Sequence, residues 1–325
     1  MDSVDFLKQL RLRRSSLMRT NFQDHKAKSI REPEQLPGSS EEAQNWQEAN
    51  RKFWEANPMR YDWKEKVGFQ EFTEPFYKEI DTRFFSNSWE YMPWKKVPFD
   101  TLIDFENLRT KNVLEIGVGN GSHAQLLATH AGSYTGIDLT SYAVKSTSER
   151  MKINNLKADI REMDAEQMSF PDETFDFIWT WGVIHHSANT KQIVKEMHRV
   201  LKRGGDAIVM VYNRSGWNYY VCGGLIHGLI LGNYFKTGSL FKTMQGITDG
   251  ALARYYTPAS WRILVQDLFD VKYVIIKGSK SELFPIPGGK IKNSIMRIVP
   301  NEITRFFTNT CRMGSFLISK IEKRP

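Results

Sequence analysis

The feature that most limits what this chain can fold into is a series of short β-rich runs separated by helical stretches. The runs are 112–117, 134–139, 158–164, 175–181 and 207–212, with two more at 271–277 and 315–321. Helices fit at 121–131, 141–154 and 190–203, the last stopped by Gly204-Gly205. Strand and helix alternating in this way predict an α/β fold, a doubly wound parallel sheet with helices on both faces. In such a sheet a ligand sits outside the carboxyl ends of the strands.

Around this centre the composition shifts. Residues 1–43 form a basic N-terminal segment and linker, 44–107 an aromatic-rich helical cap, and 108–325 the sheet domain with insertions at 214–270 and 278–313. Within 4–18, Phe6, Leu7, Leu10, Leu17 and Met18 share one helical face, with Lys8, Arg11, Arg13 and Arg14 off it. Asp2 and Asp5 count against a transit peptide, and an ordinary packing helix is favoured. The chain carries a net charge of +8, distributed as +5 over 1–31, +8 over 271–325 and −5 between them. Basic ends of this kind serve solubility, and they also suit an anionic surface such as lipid headgroups. Two cysteines exclude a disulfide scaffold or a multi-cysteine metal site; no metal is expected, and a reducing, cytoplasmic setting is.

The first run ends in Glu115-Ile116-Gly117-Val118-Gly119-Asn120-Gly121-Ser122. Glycines here permit a tight turn and close approach of a ligand to the backbone, ahead of a helix N-terminus. The dinucleotide pattern would need glycine at 122, where Ser122 stands. Glu115 would also repel a pyrophosphate and favour a cationic ligand. The second run ends at Asp138, placed to accept ribose hydroxyls, and the third at Asp164-Ala165-Glu166, placed to meet an adenine amino group. Three acids closing three successive strands suit an adenosyl ligand with a cationic tail, and S-adenosylmethionine is one.

The motifs Val113–Gly121, Gly136–Thr140, Asp164-Ala165-Glu166, Phe170–Asp176, Trp181–His186 and Arg199–Gly205 resemble the class I S-adenosylmethionine-dependent methyltransferases, most closely the small-molecule branch with the ubiquinone and menaquinone methyltransferases. The resemblance covers about 108–213. It implies a Rossmann-like sheet of seven strands whose last strand is antiparallel. It also implies that Glu115, Gly117, Gly119 and Gly121 hold the methionine end, and that Asp138 and Leu139 hold the ribose and flank the adenine. Asp164, Ala165 and Glu166 would bracket the adenine, and Thr180 and Trp181 would line the floor below the sulfonium. Val118 departs from the small or cysteine residue common at its position.

Methyl transfer from a sulfonium needs alignment and exclusion of water more than acid–base help. His185 and His186, after the fourth run, are candidate bases, though a packing role is the stronger expectation for such a pair. Trp54 and Tyr61 are candidate lid residues over the sulfonium. Tyr212, Arg214, Tyr255 and Tyr256 are candidate acceptor contacts, set against ordinary packing and a surface ion pair. Residues 215–235 carry no charged side chain and repeat glycine at 224, 228 and 232, a small-residue face suited to a homodimer contact or an acceptor wall.

The leading function is methyl transfer to a small or amphiphilic acceptor, an oxygen of a sugar, lipid or phenolic compound first. Carbon methylation of a quinone-like ring comes second, and an RNA or protein methyltransferase third. No nucleic-acid partner is expected, because Gly182-Val183-Ile184-His185 stands where a nucleic-acid methyltransferase motif would. A binding protein without activity and a nicotinamide oxidoreductase are the remaining readings. Peripheral contact with a membrane through the basic ends is a further expectation.

Overall fold

The computed structural model describes residues 29–62, 65–286 and 289–324. The expected N-terminal amphipathic helix over 4–18 lies outside the described residues.

Seven strands form one sheet: β1 Asn112–Ile116, β2 Ser133–Asp138, β3 Asp159–Glu162, β4 Phe175–Trp181, β5 Leu201–Tyr212, β6 Phe269–Lys277 and β7 Phe316–Lys323. Their order is β3-β2-β1-β4-β5-β7-β6. The first five run parallel, and β7 lies antiparallel between β5 and β6. This is the Rossmann-like arrangement that the resemblance implied, including the reversed last strand. The inner strands are apolar on both sides because helices cover both. Leu114, Ile116, Ile178 and Val209 pack on one face with Ile193, Val194, Met197 and Trp261. Val113, Phe177, Trp179, Ile208 and Ile318 pack on the other with Phe84, Phe99, Ala124 and Leu127.

Five helices matter most to the site: α1 Ser40–Ala56, α2 Glu74–Tyr91, α3 Ser122–His130, α4 Ser141–Ile153 and α5 Thr190–Val200. Helix α1 starts at Ser39, whose hydroxyl accepts from the Glu42 amide, and buries Trp46, Asn50 and Phe53 along one face. Helix α2 buries Phe76, Tyr77, Ile80, Phe84, Ser88 and Tyr91. Asp81 anchors α2 to the sheet domain, accepting from Ser122 Oγ at 2.7 Å and pairing with the Arg150 guanidinium.

One expectation changes. Helix α5 ends at Val200, short of Gly204-Gly205; the chain is already extended from Leu201. The glycines instead absorb a jump in strand register, from Phe175 opposite Leu201 to Phe177 opposite Asp206, with Gly204 at φ +71°. That conformation is easy only for glycine. The glycine-rich apolar stretch forms a π-helix, Gly216–Ile230, which holds Gly224 and Gly228 and ends before Gly232. A β-carbon at Gly223 would overlap Met244, and one at Gly224 would touch Leu240.

Candidate functional site

In a sheet of this order the crevice opens between β1 and β4, where connections leave in opposite directions. A cavity of about 300 Å³ lies there. The sheet domain contributes Gly117, Gly119, Asp138, Leu139, Asp164, Ala165, Trp181, His186 and Tyr212, all singled out in the sequence. Trp54 and Tyr61 close it from the cap side.

The loop geometry follows from the glycines. Gly117, Gly119 and Gly121 all have positive φ, at +84°, +54° and +79°. A β-carbon at Gly117 would collide with Val183, whereas one at Gly119 would meet nothing within 4 Å. Gly119 therefore leaves a bare backbone edge against the cavity. Its amide donates to Asp138 Oδ2 at 3.1 Å, and Asp138 Oδ1 accepts from the amide and hydroxyl of Thr140 at 3.0 and 2.8 Å. Burial raises the Asp138 pKa against those hydrogen bonds.

The cap reaches the same cavity through polar side chains that the sequence reading passed over. Gln47 donates to Asp164 Oδ1 at 2.8 Å and accepts from the Ala188 amide at 3.0 Å. Asn120, inside the glycine loop, donates to the Met59 carbonyl at 2.7 Å and so ties the segment before Tyr61 to the loop. Asn50 is buried, lines the cavity, and its Oδ1 has no hydrogen-bond partner. His123 also lines the cavity; burial lowers its pKa to about 3, so its ring is neutral. A detectable signal existed for Asn50: a polar residue on the apolar face of α1, between Trp46 and Phe53.

Several expected residues lie elsewhere. Glu115 sits beneath the loop and outside the cavity lining, fully buried, accepting from the Tyr134 hydroxyl at 2.6 Å. Burial pushes its pKa up to about 8. Gly121 starts α3 and faces Thr147 and Arg150, not the cavity. Thr180 points to the sheet face opposite Trp181, as alternation along a strand requires; Trp181 stacks with Trp179 at 5.2 Å. Glu166 accepts from the Asn189 amide at 2.7 Å and borders a shallow outer pocket with Asp164. Met163 takes the inner position beside Asp164 and Ala165.

On the acceptor side, His185 is completely buried, both ring nitrogens lack a partner, and burial holds its pKa well below the usual range. Its ring packs between His186 at 4.1 Å and Tyr212 at 4.0 Å, a packing role. His186 faces the cavity; its Nδ1 donates to the Leu252 carbonyl at 2.7 Å, because a carbonyl can only accept. Arg214 pairs with Glu34 at 3.0 Å and does not line the cavity. Tyr255 bonds Thr248 and stacks behind Tyr212 at 5.7 Å, while Tyr256 packs on Trp261 at 5.5 Å. Both stand one layer behind the wall. Asp249, unmarked in the sequence, lines the cavity instead, accepting from the Tyr212 hydroxyl at 2.7 Å.

The lining thus holds three carboxylates, Asp138, Asp164 and Asp249, and no Lys or Arg among the described residues. Its remaining surface is largely apolar and includes the aromatic rings of Trp54, Tyr61, Phe84, Tyr91, Trp181 and Phe316. Carboxylates and ring faces attract cations, and a pyrophosphate would find no positive side chain.

Residues 114–209 match a family model described as a methyltransferase domain. A phosphatidylethanolamine N-methyltransferase of Cereibacter sphaeroides is 33% identical over 106 residues, which is 32% of this chain and 52% of that relative. A ubiquinone biosynthesis O-methyltransferase of Rickettsia akari is 26% identical over 54% of this chain and 74% of the relative. A phthiotriol/phenolphthiotriol dimycocerosates methyltransferase of Mycobacterium tuberculosis is 35% identical over 30% of this chain and 37% of the relative. The chain spans about half the length of the first of these relatives.

Proposed function

We propose that this chain, whose sheet has the Rossmann-like order and whose residues 114–209 match a methyltransferase domain, is a class I S-adenosylmethionine-dependent methyltransferase that methylates a small or amphiphilic acceptor, an oxygen of a sugar, lipid or phenolic compound first. The observation that carries this reading is the cavity lined by three carboxylates without a Lys or Arg. A ligand with an ammonium and a sulfonium matches it. The orphaned Asn50 Oδ1 and the bare backbone at Gly119 fit the same molecule, as a hydrogen-bond acceptor awaiting a donor and a space kept open for close approach.

When bound, S-adenosylmethionine supplies an electrophilic methyl carbon and its own leaving group. The chain's residues hold and shield. Asp138 takes the ribose hydroxyls. Leu139, Met163, Asp164 and Ala165 surround the adenine, with Gln47 fixing the Asp164 carboxylate. The loop from Gly117 to Gly119 and Asn50 receive the methionine end. Trp54, Tyr61 and Trp181 place aromatic faces about the sulfonium and exclude water. To His186, which stands on the cavity wall with Nδ1 donating to the Leu252 carbonyl, falls the role of taking the acceptor's proton. Tyr212 and Asp249 orient the acceptor. The relatives named for ubiquinone biosynthesis, phthiotriol/phenolphthiotriol dimycocerosates and phosphatidylethanolamine support an amphiphilic acceptor, and the anionic lining disfavours placing a phosphate beside the reacting atoms.

The test is isothermal titration with S-adenosylmethionine, S-adenosylhomocysteine and NADH. Micromolar binding of the first two and none of the third is expected. Binding of NADH alone, or of none, overturns the reading. Transfer of labelled methyl into lipid and polar extracts then identifies the acceptor class.

A further inference from the structure

The two insertions that flank the acceptor side leave a large apolar surface in solvent. Along Gly216–Ile230 and the helix after it, Tyr220, Leu225, Leu229, Leu231 and Tyr234 are exposed, with Ile230 70% and Phe235 79% accessible. The second insertion contains a helix Lys290–Ile298 in which no residue is buried. Ile291, Ile295 and Ile298 recur at i, i+4 and i+7 on one stripe, and Ile291 and Ile298 are 73% and 79% accessible. Phe306 and Phe307 add to it. A helix normally turns such a stripe inward, against its own core.

The two insertions sit together. Trp217 Nε1 donates to the Glu282 carbonyl at 3.0 Å. Along their exposed apolar stretches the charge is of one sign. Residues 215–248 contain Lys236 and Lys242 and no acid; residues 283–301 contain Lys290, Lys292 and Arg297 and no acid. The surface also adjoins the cavity. The apolar insertion leaves the wall at Tyr212 and returns to it at Asp249, and Asn309 donates to the carbonyl of the cavity residue Tyr91 at 3.0 Å.

We propose that these insertions form one docking face for an anionic lipid bilayer, with Ile291, Ile298, Ile230 and Phe235 entering the acyl boundary and the five cations meeting headgroups. No helix among the described residues is long and apolar enough to cross a membrane, so the contact is peripheral. The bilayer is preferred over a second copy of the chain because two copies would bring five like charges against five. The face would deliver an amphiphilic acceptor from the lipid phase to the Tyr212–Asp249 end of the cavity. That delivery rests on the proposed methyl transfer; the docking does not.

Flotation of the full chain with vesicles tests it, using phosphatidylcholine alone and phosphatidylcholine with a quarter phosphatidylglycerol. Binding to the second, weakened by salt, and little to the first are expected. The double variant Ile291→Glu/Ile298→Glu loses at least about tenfold in partitioning, since two exposed apolar anchors become anions. Because both side chains are exposed, S-adenosylmethionine titration of that variant remains as in the wild type, which separates this outcome from failure of the cofactor reading. No flotation with either vesicle, or equal flotation of the variant, overturns the proposal. A wild-type dimer by sedimentation equilibrium that the variant abolishes would do so too, giving the face to a second copy.

Discussion

The Tyr212 hydroxyl donates to Asp249 Oδ1 at 2.7 Å and thereby joins the end of β5 to the far end of the apolar insertion. Both residues line the cavity, and burial beside the carboxylate raises the Tyr212 pKa well above its ordinary value. The phenol therefore stays protonated and keeps donating, so its role is to fix Asp249 rather than to serve as a base. Tyr212→Phe and Asp249→Asn are expected to lower kcat by about 10- to 100-fold through loss of acceptor alignment. Cofactor affinity stays within about twofold in both. His186→Gln is expected to cost about 10²-fold or more in kcat, as removal of a positioned proton acceptor does. Single-turnover methylation with excess cofactor measures all three; an unaltered His186→Gln rate would leave the proton to solvent.

The loop glycines separate folding from binding. At Gly117 a methyl group would strike Val183, so Gly117→Ala is expected to lower Tm and cofactor affinity together. At Gly119 the methyl meets nothing, and the folding cost is the left-handed conformation alone, about 1–2 kcal/mol. Its methyl would stand where the ligand approaches, so Gly119→Ala is expected to keep most of its stability while losing at least about tenfold in affinity. Thermal melts with and without S-adenosylhomocysteine read both quantities.

Much of this site was legible in the sequence because it hangs on backbone features. The seven strands, their order of chemistry and the glycine turn are written in local runs, and the acids at 138 and 164 end their strands facing the crevice. What failed depended on which side of a strand or loop a residue takes. Glu115 and Thr180 lie at the right height but point away, the first into Tyr134 and the second to the face opposite Trp181. The cap was legible only as aromatic helices. Gln47 and Asn120 reach the cavity through tertiary contacts spanning up to 141 residues of sequence, which no local pattern records. Asp249 lies within an insertion with no family motif, and its place on the cavity wall beside Tyr212 reveals it.

Glu115 makes a pH-dependent contribution whose sign is fixed by burial. Its pKa in the fold is about 8, above the ordinary 4.5. A raised carboxyl pKa means the fold binds the proton more tightly than the unfolded chain does. The stabilisation is complete below the unfolded value and is lost as pH rises through about 8. Glu115→Gln keeps an acceptor for the Tyr134 hydroxyl and has no charge to bury. It is expected to match the wild type in Tm near pH 5, exceed it increasingly up to about pH 8, and keep a constant lead above that. Parallel pH dependences of the two proteins would show that Glu115 is already ionised in the fold.

Asn50 sets stability against binding at one atom. Its Oδ1 is buried without a partner, and an unpaired buried acceptor costs about 1–3 kcal/mol. A chain folding for stability alone would place an apolar residue there, since Trp46 and Phe53 on the same face of α1 are buried. Asn50→Leu removes the orphan with a side chain of similar reach, so it is expected to leave Tm unchanged or raise it. If the carbonyl oxygen is kept for a ligand donor, the same variant loses about 1.5–3 kcal/mol of cofactor binding, since the bond it forgoes is to a charged or strongly polar group. That is roughly a 10- to 100-fold weaker Kd by titration. A more stable variant with unchanged Kd would make Asn50 a packing residue; a more stable variant that binds weakly would show that this polar atom is held in the fold for the ligand.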